Sequence, residues 1–162
     1  MTCASAQFLR APRAASIAVM AENAFDLTKT YVHLGLGSIV RPLPGFSWSA
    51  EYMAEYLRMF KQDRDEGRLV GIIPLRKTWT HWECHTNGDE LVVLLSGRCD
   101  VIQEIDGEYH TISLLPGHAM INTRGVWHTS DVLEAGESLF ISSGRRTTYR
   151  PRRADEGPRP AA

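Results

Sequence analysis

The stretch Glu83-Cys84-His85-Thr86-Asn87-Gly88-Asp89-Glu90-Leu91-Val92-Val93-Leu94-Leu95-Ser96-Gly97 decides how this 162-residue chain is read. Its second half is an apolar run of strand length that Gly97 ends. Its first half closes a segment over residues 78–85 whose alternation separates two faces. Trp79, His81, Glu83 and His85 fall on one face, and Thr80, Trp82 and Cys84 on the other. Three ionisable side chains thus point the same way beside a tryptophan. On a solvent-facing strand they would be an ordinary polar exterior, but the hydrophobic density nearby leaves few surfaces other than an enclosed lumen for such a face.

Short strands continue on both sides of this stretch, from Leu69 to about Gly144. Residues 101–105 and 108–112 flank Asp106-Gly107, a pair that accepts positive φ in a tight primed turn, and form the clearest hairpin. Runs at 91–95, 119–122, 126–132 and 138–142 follow one another without intervening helices, which indicates an all-β sandwich or barrel. Upstream, residues 31–36 read as a short strand ahead of the turn formers Arg41-Pro42-Leu43-Pro44-Gly45. Ser49 is a candidate N-cap for a helix with Met53, Leu57 and Phe60 at helical spacing, running to about Asp65. The expected organisation is a poorly ordered extension over 1–24, a strand and helix packing on the barrel over 25–68, the barrel over 69–144, and a disordered Arg/Pro-rich tail over 145–162.

The order Glu83-x-His85-x4-Glu90-x6-Gly97 resembles the first motif of the cupin family, in which two histidines, a glutamate and a glycine hold these places. Thr123-Arg124-Gly125-Val126-Trp127-His128 partly matches the second motif, proline-x-glycine-x2-histidine, and Leu115-Pro116-Gly117 is similar to the proline–glycine turn at that motif's start. The resemblance covers residues 69–144 and departs from the family in two places: Glu83 replaces the first histidine and Thr123 replaces a proline. It implies a double-stranded β-helix, the cupin or jelly-roll barrel, with an N-terminal helical segment and a mouth that admits a small organic molecule. It also implies one divalent metal held by Glu83, His85, Glu90 and His128. Oxygen-rich ligation favours Fe(II) or Mn(II) over copper on hardness grounds, with zinc and nickel still open.

His81 is a poor substitute for the missing histidine, because an extended strand sets it about 13 Å from His85. It is better placed as a pocket wall, a partner of a ligand or a general base; Glu83 and His81 are therefore the candidates for moving a proton. Trp79, Met120 and Trp127, with Tyr109, are candidates for an apolar wall against the substrate, or equally for filling the barrel core. His33, His110 and His118 show no matching spacing.

Net charge is −1, but the tail from Arg145 holds six arginines against two acidic residues and the first 24 residues are slightly basic, so the body between them is acidic. A body without a basic face argues against nucleic-acid binding, and no apolar run approaches the ~18 residues that would cross a membrane. Cys3, Cys84 and Cys99 are odd in number with no C-x-x-C spacing, which suggests neither a disulfide framework nor a thiolate zinc site and fits a reducing, cytoplasmic setting. The opening residues, with Arg10 and Arg13 ahead of residues 14–21, mimic a short signal peptide or an extension before a second start at Met20. The function expected is a metal-dependent enzyme of oxygenase, isomerase or lyase type acting on a small molecule as a homodimer. The competing expectation is a non-catalytic ligand-binding or sensor domain, and a weaker one gives the Arg-rich tail a partner.

Overall fold

In a computed structural model the described residues are 24–153 and 156. The elements are β1 (Tyr31–Gly35), β2 (Ile39–Leu43), α1 (Ala50–Met59), β3 (Arg68–Leu75), β4 (His81–His85), β5 (Glu90–Ile105), β6 (Glu108–Leu114), β7 (Ala119–Asn122), β8 (Trp127–Ser142) and β9 (Thr147–Pro151). All strand pairings are antiparallel, in the order β2-β1-β3-β8-β4-β9, with β5 pairing β6, β7 and β8. The sheet curls into an all-β barrel around two long strands, β5 and β8, which run beside each other from Glu104↔Trp127 to Leu91↔Ile141.

The length of β5 corrects the expectation that Gly97 ends a strand. The chain instead bends through register irregularities between Leu94 and Cys99 and pairs again. Gly97 adopts φ +79, and a Cβ there would strike the backbone of Glu134 and Ala135; across the ladder, a Cβ on Gly136 would meet Ser96. Glycine is thus needed where the two backbones come close, which lets one strand turn the corner of the barrel. The β5–β6 hairpin forms as its Asp106-Gly107 pair foretells, with φ +54 and +82.

Ser49 caps α1 by accepting a hydrogen bond from the Tyr52 backbone at 3.2 Å. The helix stops at Met59, short of the expected Asp65, because Phe60 leaves helical geometry and a 3₁₀ turn over Lys61–Asp63 follows. Its fully buried residue, Tyr56, joins Leu43, Leu69 and Phe140 in one core cluster, while Leu75, Leu94, Cys99, Val101, Leu114 and Met120 form a second. Between helix and barrel lies a polar chain. The Tyr56 hydroxyl stands 2.9 Å from His33 Nδ1, and His33 Nε2 stands 2.7 Å from Asp63 Oδ2. The ring of His33 stacks on Phe60 with centroids 3.6 Å apart. Burial holds His33 below its ordinary pKa despite Asp63, so the neutral ring donates from Nε2 and accepts from Tyr56.

Residues 147–151, assigned by composition to a disordered tail, are strand β9, which pairs with β4 from His85↔Thr147 to His81↔Pro151. Arg150 lies over the rings of Trp82 and Trp127, 5.1 and 4.7 Å from their centroids, and is ion-paired with Glu104. Arg152 forks onto Asp131, with contacts of 2.6 and 3.3 Å. These arginines anchor a strand to the barrel, which composition alone does not reveal. The expected extension over 1–24 and the remaining tail lie almost wholly outside the described residues.

Candidate metal centre and ligand cavity

Alternation along β4 sends His81, Glu83 and His85 into a cavity of about 350 Å³ while Trp82 and Cys84 are buried behind the strand. Glu83 pairs directly with His128 at the start of β8, and Glu90, the first residue of β5, enters from the neighbouring strand. Glu83, His85 and His128 each offer a ligand atom within 4.8 Å of the others. Glu90 Oε2 lies 3.2 Å from His85 Nε2 and 3.5 Å from His128 Nε2. The four side chains named from the sequence therefore converge.

The imidazoles carry the decisive detail. His85 Nε2 and His128 Nε2 are buried and neither is in hydrogen-bond geometry with any described residue, although a Glu90 oxygen lies close to both. Each ring is held from its other nitrogen, His85 Nδ1 3.0 Å from Thr147 Oγ1 and His128 Nδ1 3.4 Å from the Val126 carbonyl. A carbonyl only accepts, so His128 carries its proton on Nδ1 and turns the Nε2 lone pair toward the cavity. With the His85 proton likewise on Nδ1, donated to the Thr147 hydroxyl, two imidazole nitrogens beside the Glu83 and Glu90 carboxylates would make a donor set that fits a divalent cation.

The electrostatics agree. Burial lowers the His128 pKa to about 4 against the pull of Glu90, so its ring is neutral at pH 7. Burial would raise Glu90, but His85 and His128 outweigh it and keep the carboxylate ionised. His85 is pulled down by burial and held above its ordinary value by Glu90 and Glu83. Glu83 is pushed up, chiefly by burial, although His81 Nε2 stands 3.2 Å from its Oε1. His81 is the most exposed of the four inward groups on and beside β4, stacked on Trp79 with centroids 5.1 Å apart and edge-on to Tyr149. The placement of two inward-facing motif segments on one curled antiparallel sheet settles the architecture.

The barrel has a cupin fold.

Other assignments need correction. Trp127 does not line the cavity, because it neighbours the inward His128 on the strand and so faces outward, beneath Arg150. Met120 does not line the cavity but packs in the core cluster with Leu94 and Leu114, behind the wall that Leu75, Cys99 and Val101 of that cluster present, and Tyr109 stacks on Trp82 outside it. Trp79 does line it. Four residues not anticipated stand at the site. Asn122 Nδ2 donates to Glu90 Oε2 at 2.9 Å, and Gln103 Nε2 donates to Asn122 Oδ1 at 3.0 Å, so a buried relay orients the carboxylate. Thr147 and Tyr149 come from β9. Asn122 sits just ahead of the second motif, which was a usable signal; the other three carried none.

No family model and no curated protein matches the sequence. Among solved structures, the chain resembles a cupin-2 domain protein from Shewanella frigidimarina NCIMB 400 at 19% identity and TM-score 0.40, covering 52% of this chain and 71% of that one. Hydroquinone 1,2-dioxygenase from Sphingomonas sp. TTNP3, solved with 4-hydroxybenzoate bound, is similar at 17% identity and TM-score 0.40 over 46% of this chain and 58% of its own. Hydroxypropylphosphonic acid epoxidase from S. wedmorenis is similar at 12% identity and TM-score 0.40 over 46% of this chain, which spans 42% of the epoxidase. Among the described residues no helix is long and apolar enough to cross a membrane.

Proposed function

We propose that this cupin is a metal-dependent enzyme acting on a small organic molecule, with one divalent cation held by His85, His128, Glu83 and Glu90. The observation that carries the reading is the pair of buried imidazole nitrogens without hydrogen-bond partners, both directed at the two carboxylates. A divalent ion bound there would supply Lewis acidity or redox chemistry to substrate oxygens, of which oxygenase, isomerase and lyase reactions are the candidates; Fe(II) or Mn(II) suits the donors best.

The chain's own residues do the rest. Glu90 stays ionised, its orientation fixed through Asn122 and Gln103. Of the two carboxylates Glu83 is the readier to hold a proton, since burial raises its pKa, and His81 beside its Oε1 provides a route to the mouth of the cavity. Trp79 and Tyr149 flank that route, one stacked on the His81 ring and the other edge-on to it.

The test is elemental analysis of protein purified without added metal, repeated for His85→Ala and Glu83→Ala. About one divalent ion per chain is expected in the wild type, with His85→Ala nearly empty and Glu83→Ala reduced. A metal-free wild type that still binds small molecules would transfer the reading to a ligand-binding module without chemistry.

A further inference from the structure

The far part of the cavity contains an unexplained polar atom. Ser130 Oγ is buried and has no hydrogen-bond partner among the described residues, and its residue, only 4% exposed, lines the cavity. Its backbone is accounted for, the carbonyl accepting from the Trp79 N–H at 2.9 Å. Its side chain is not. The Cys99 thiol lies beside it and interacts with it, but not in hydrogen-bond geometry, and Val101 is its cross-strand partner. Buried hydroxyls are nearly always satisfied, so one left open at a cavity wall is a vacant donor and acceptor for whatever fills the space.

Ser130 lies two residues beyond His128 on the same inward face of β8, about 6.6 Å along the strand. Around these points the wall is largely apolar, with Ile73, Trp79, Val92 and Phe140, and the hydroxyl residues Thr129, Ser138 and Ser142 share it. No lysine or arginine lines the cavity among the described residues, and its formal negative charges, Glu83 and Glu90, would be cancelled by one divalent ion. A carboxylate, phosphate or phosphonate buried here would lose its hydration and meet no counter-charge on the wall. At about 350 Å³ the space holds roughly a dozen water-sized groups.

We propose that the cavity takes an electrically neutral, largely apolar molecule of about a dozen non-hydrogen atoms that places a hydroxyl at the His85/His128 end and a second hydroxyl or carbonyl on Ser130 Oγ. The inference rests on the enzyme reading above for the first of these two anchors and on Ser130 alone for the second. It makes Ser130 a substrate-binding residue and divides candidate substrates by charge.

Calorimetric titration of the purified wild type and Ser130→Ala with 4-hydroxyacetophenone, 4-ethylphenol and 4-hydroxybenzoate tests it, the metal content of each sample being measured in parallel. In the wild type 4-hydroxyacetophenone binds, and the anionic 4-hydroxybenzoate, of similar size, binds at least about tenfold more weakly. Ser130→Ala weakens the acetophenone by about 2- to 12-fold, one neutral hydrogen bond, and leaves 4-ethylphenol unchanged. The wild-type charge preference does not depend on how the variant folds. Equal or tighter binding of 4-hydroxybenzoate, an equal loss for both neutral probes in Ser130→Ala, or no binding of any neutral probe overturns the inference. Metal-free protein that keeps the pattern overturns the metal reading alone; metal-loaded protein without the pattern overturns only the ligand class.

Discussion

Replacing Asn122 with alanine should cost metal affinity without touching a ligand. Asn122 is 2% exposed and stands between Gln103 and Glu90, donating to Glu90 Oε2 at 2.9 Å. Its removal takes a hydrogen bond from a buried carboxylate, an interaction worth about 1.5–3 kcal/mol, and opens a small void. Gln103 keeps its bond to the Ile121 carbonyl at 2.9 Å, so the damage falls mainly on Glu90. With the carboxylate less tightly held, the affinity for a divalent ion should fall about 10- to 100-fold, as is usual when a ligand loses its orienting partner. Asn122→Asp should be worse, because a second carboxylate then faces Glu90 in the same dry space. Competition against a chromophoric chelator gives the affinities, and thermal unfolding of metal-stripped samples gives the protein term, a Tm drop of roughly 5–10 °C. Unchanged metal affinity in Asn122→Ala, with the variant folded, would refute the argument that this relay serves the centre.

Three further outcomes are expected. Gly136→Ala should destabilise by about 2–4 kcal/mol in urea, since its Cβ meets the Ser96 backbone rather than a movable side chain. Deleting residues from Thr147 onward removes the Thr147 contact to His85 and the Tyr149 wall, and should lower metal content in protein refolded or expressed under identical conditions; an unaltered content would show that β9 is dispensable to the site. Acidification should weaken the fold through His33 and Asp63. The folded pKa of His33 lies below its unfolded value, so the unfolded chain takes up the proton first and stability falls as pH drops below about 6.5, levelling off beneath the folded value. Asp63, also depressed when folded, adds a loss at lower pH. The urea midpoint of His33→Gln should therefore change less between pH 7.5 and 5 than that of the wild type, and parallel curves would exclude His33 as the source.

Much of the candidate metal centre could be read from the chain because its residues follow local rules. Glu83 and His85 share a strand face by alternation, and Glu90 and His128 sit at fixed offsets from turns. The same rule, applied strictly, would have turned Trp127 away from the cavity, since it adjoins an inward histidine. What stayed hidden depends on register between distant segments. Gln103 reaches Asn122 across 19 residues and Asn122 reaches Glu90 across 32, and nothing short of the β5–β7 pairing brings them together. His33, Tyr56 and Asp63 meet only because β1 joins the sheet and α1 folds over it. In β9 the arginines and Pro151 masked Thr147-Thr148-Tyr149, three residues of good strand propensity. Composition describes an average, whereas pairing depends on what each face meets.

That strand also sets an order of events during synthesis. Thr147 emerges 62 residues after the His85 it supports, which at ribosomal rates of ~5–20 residues per second is a delay of roughly 3–12 s. Until then β4 has only Glu83 and Cys84 paired, with Trp127 and His128 of β8, and its other edge is open. A nascent chain therefore displays the candidate metal ligands on a strand whose outer edge is still unpaired, the kind of edge at which unwanted pairing begins.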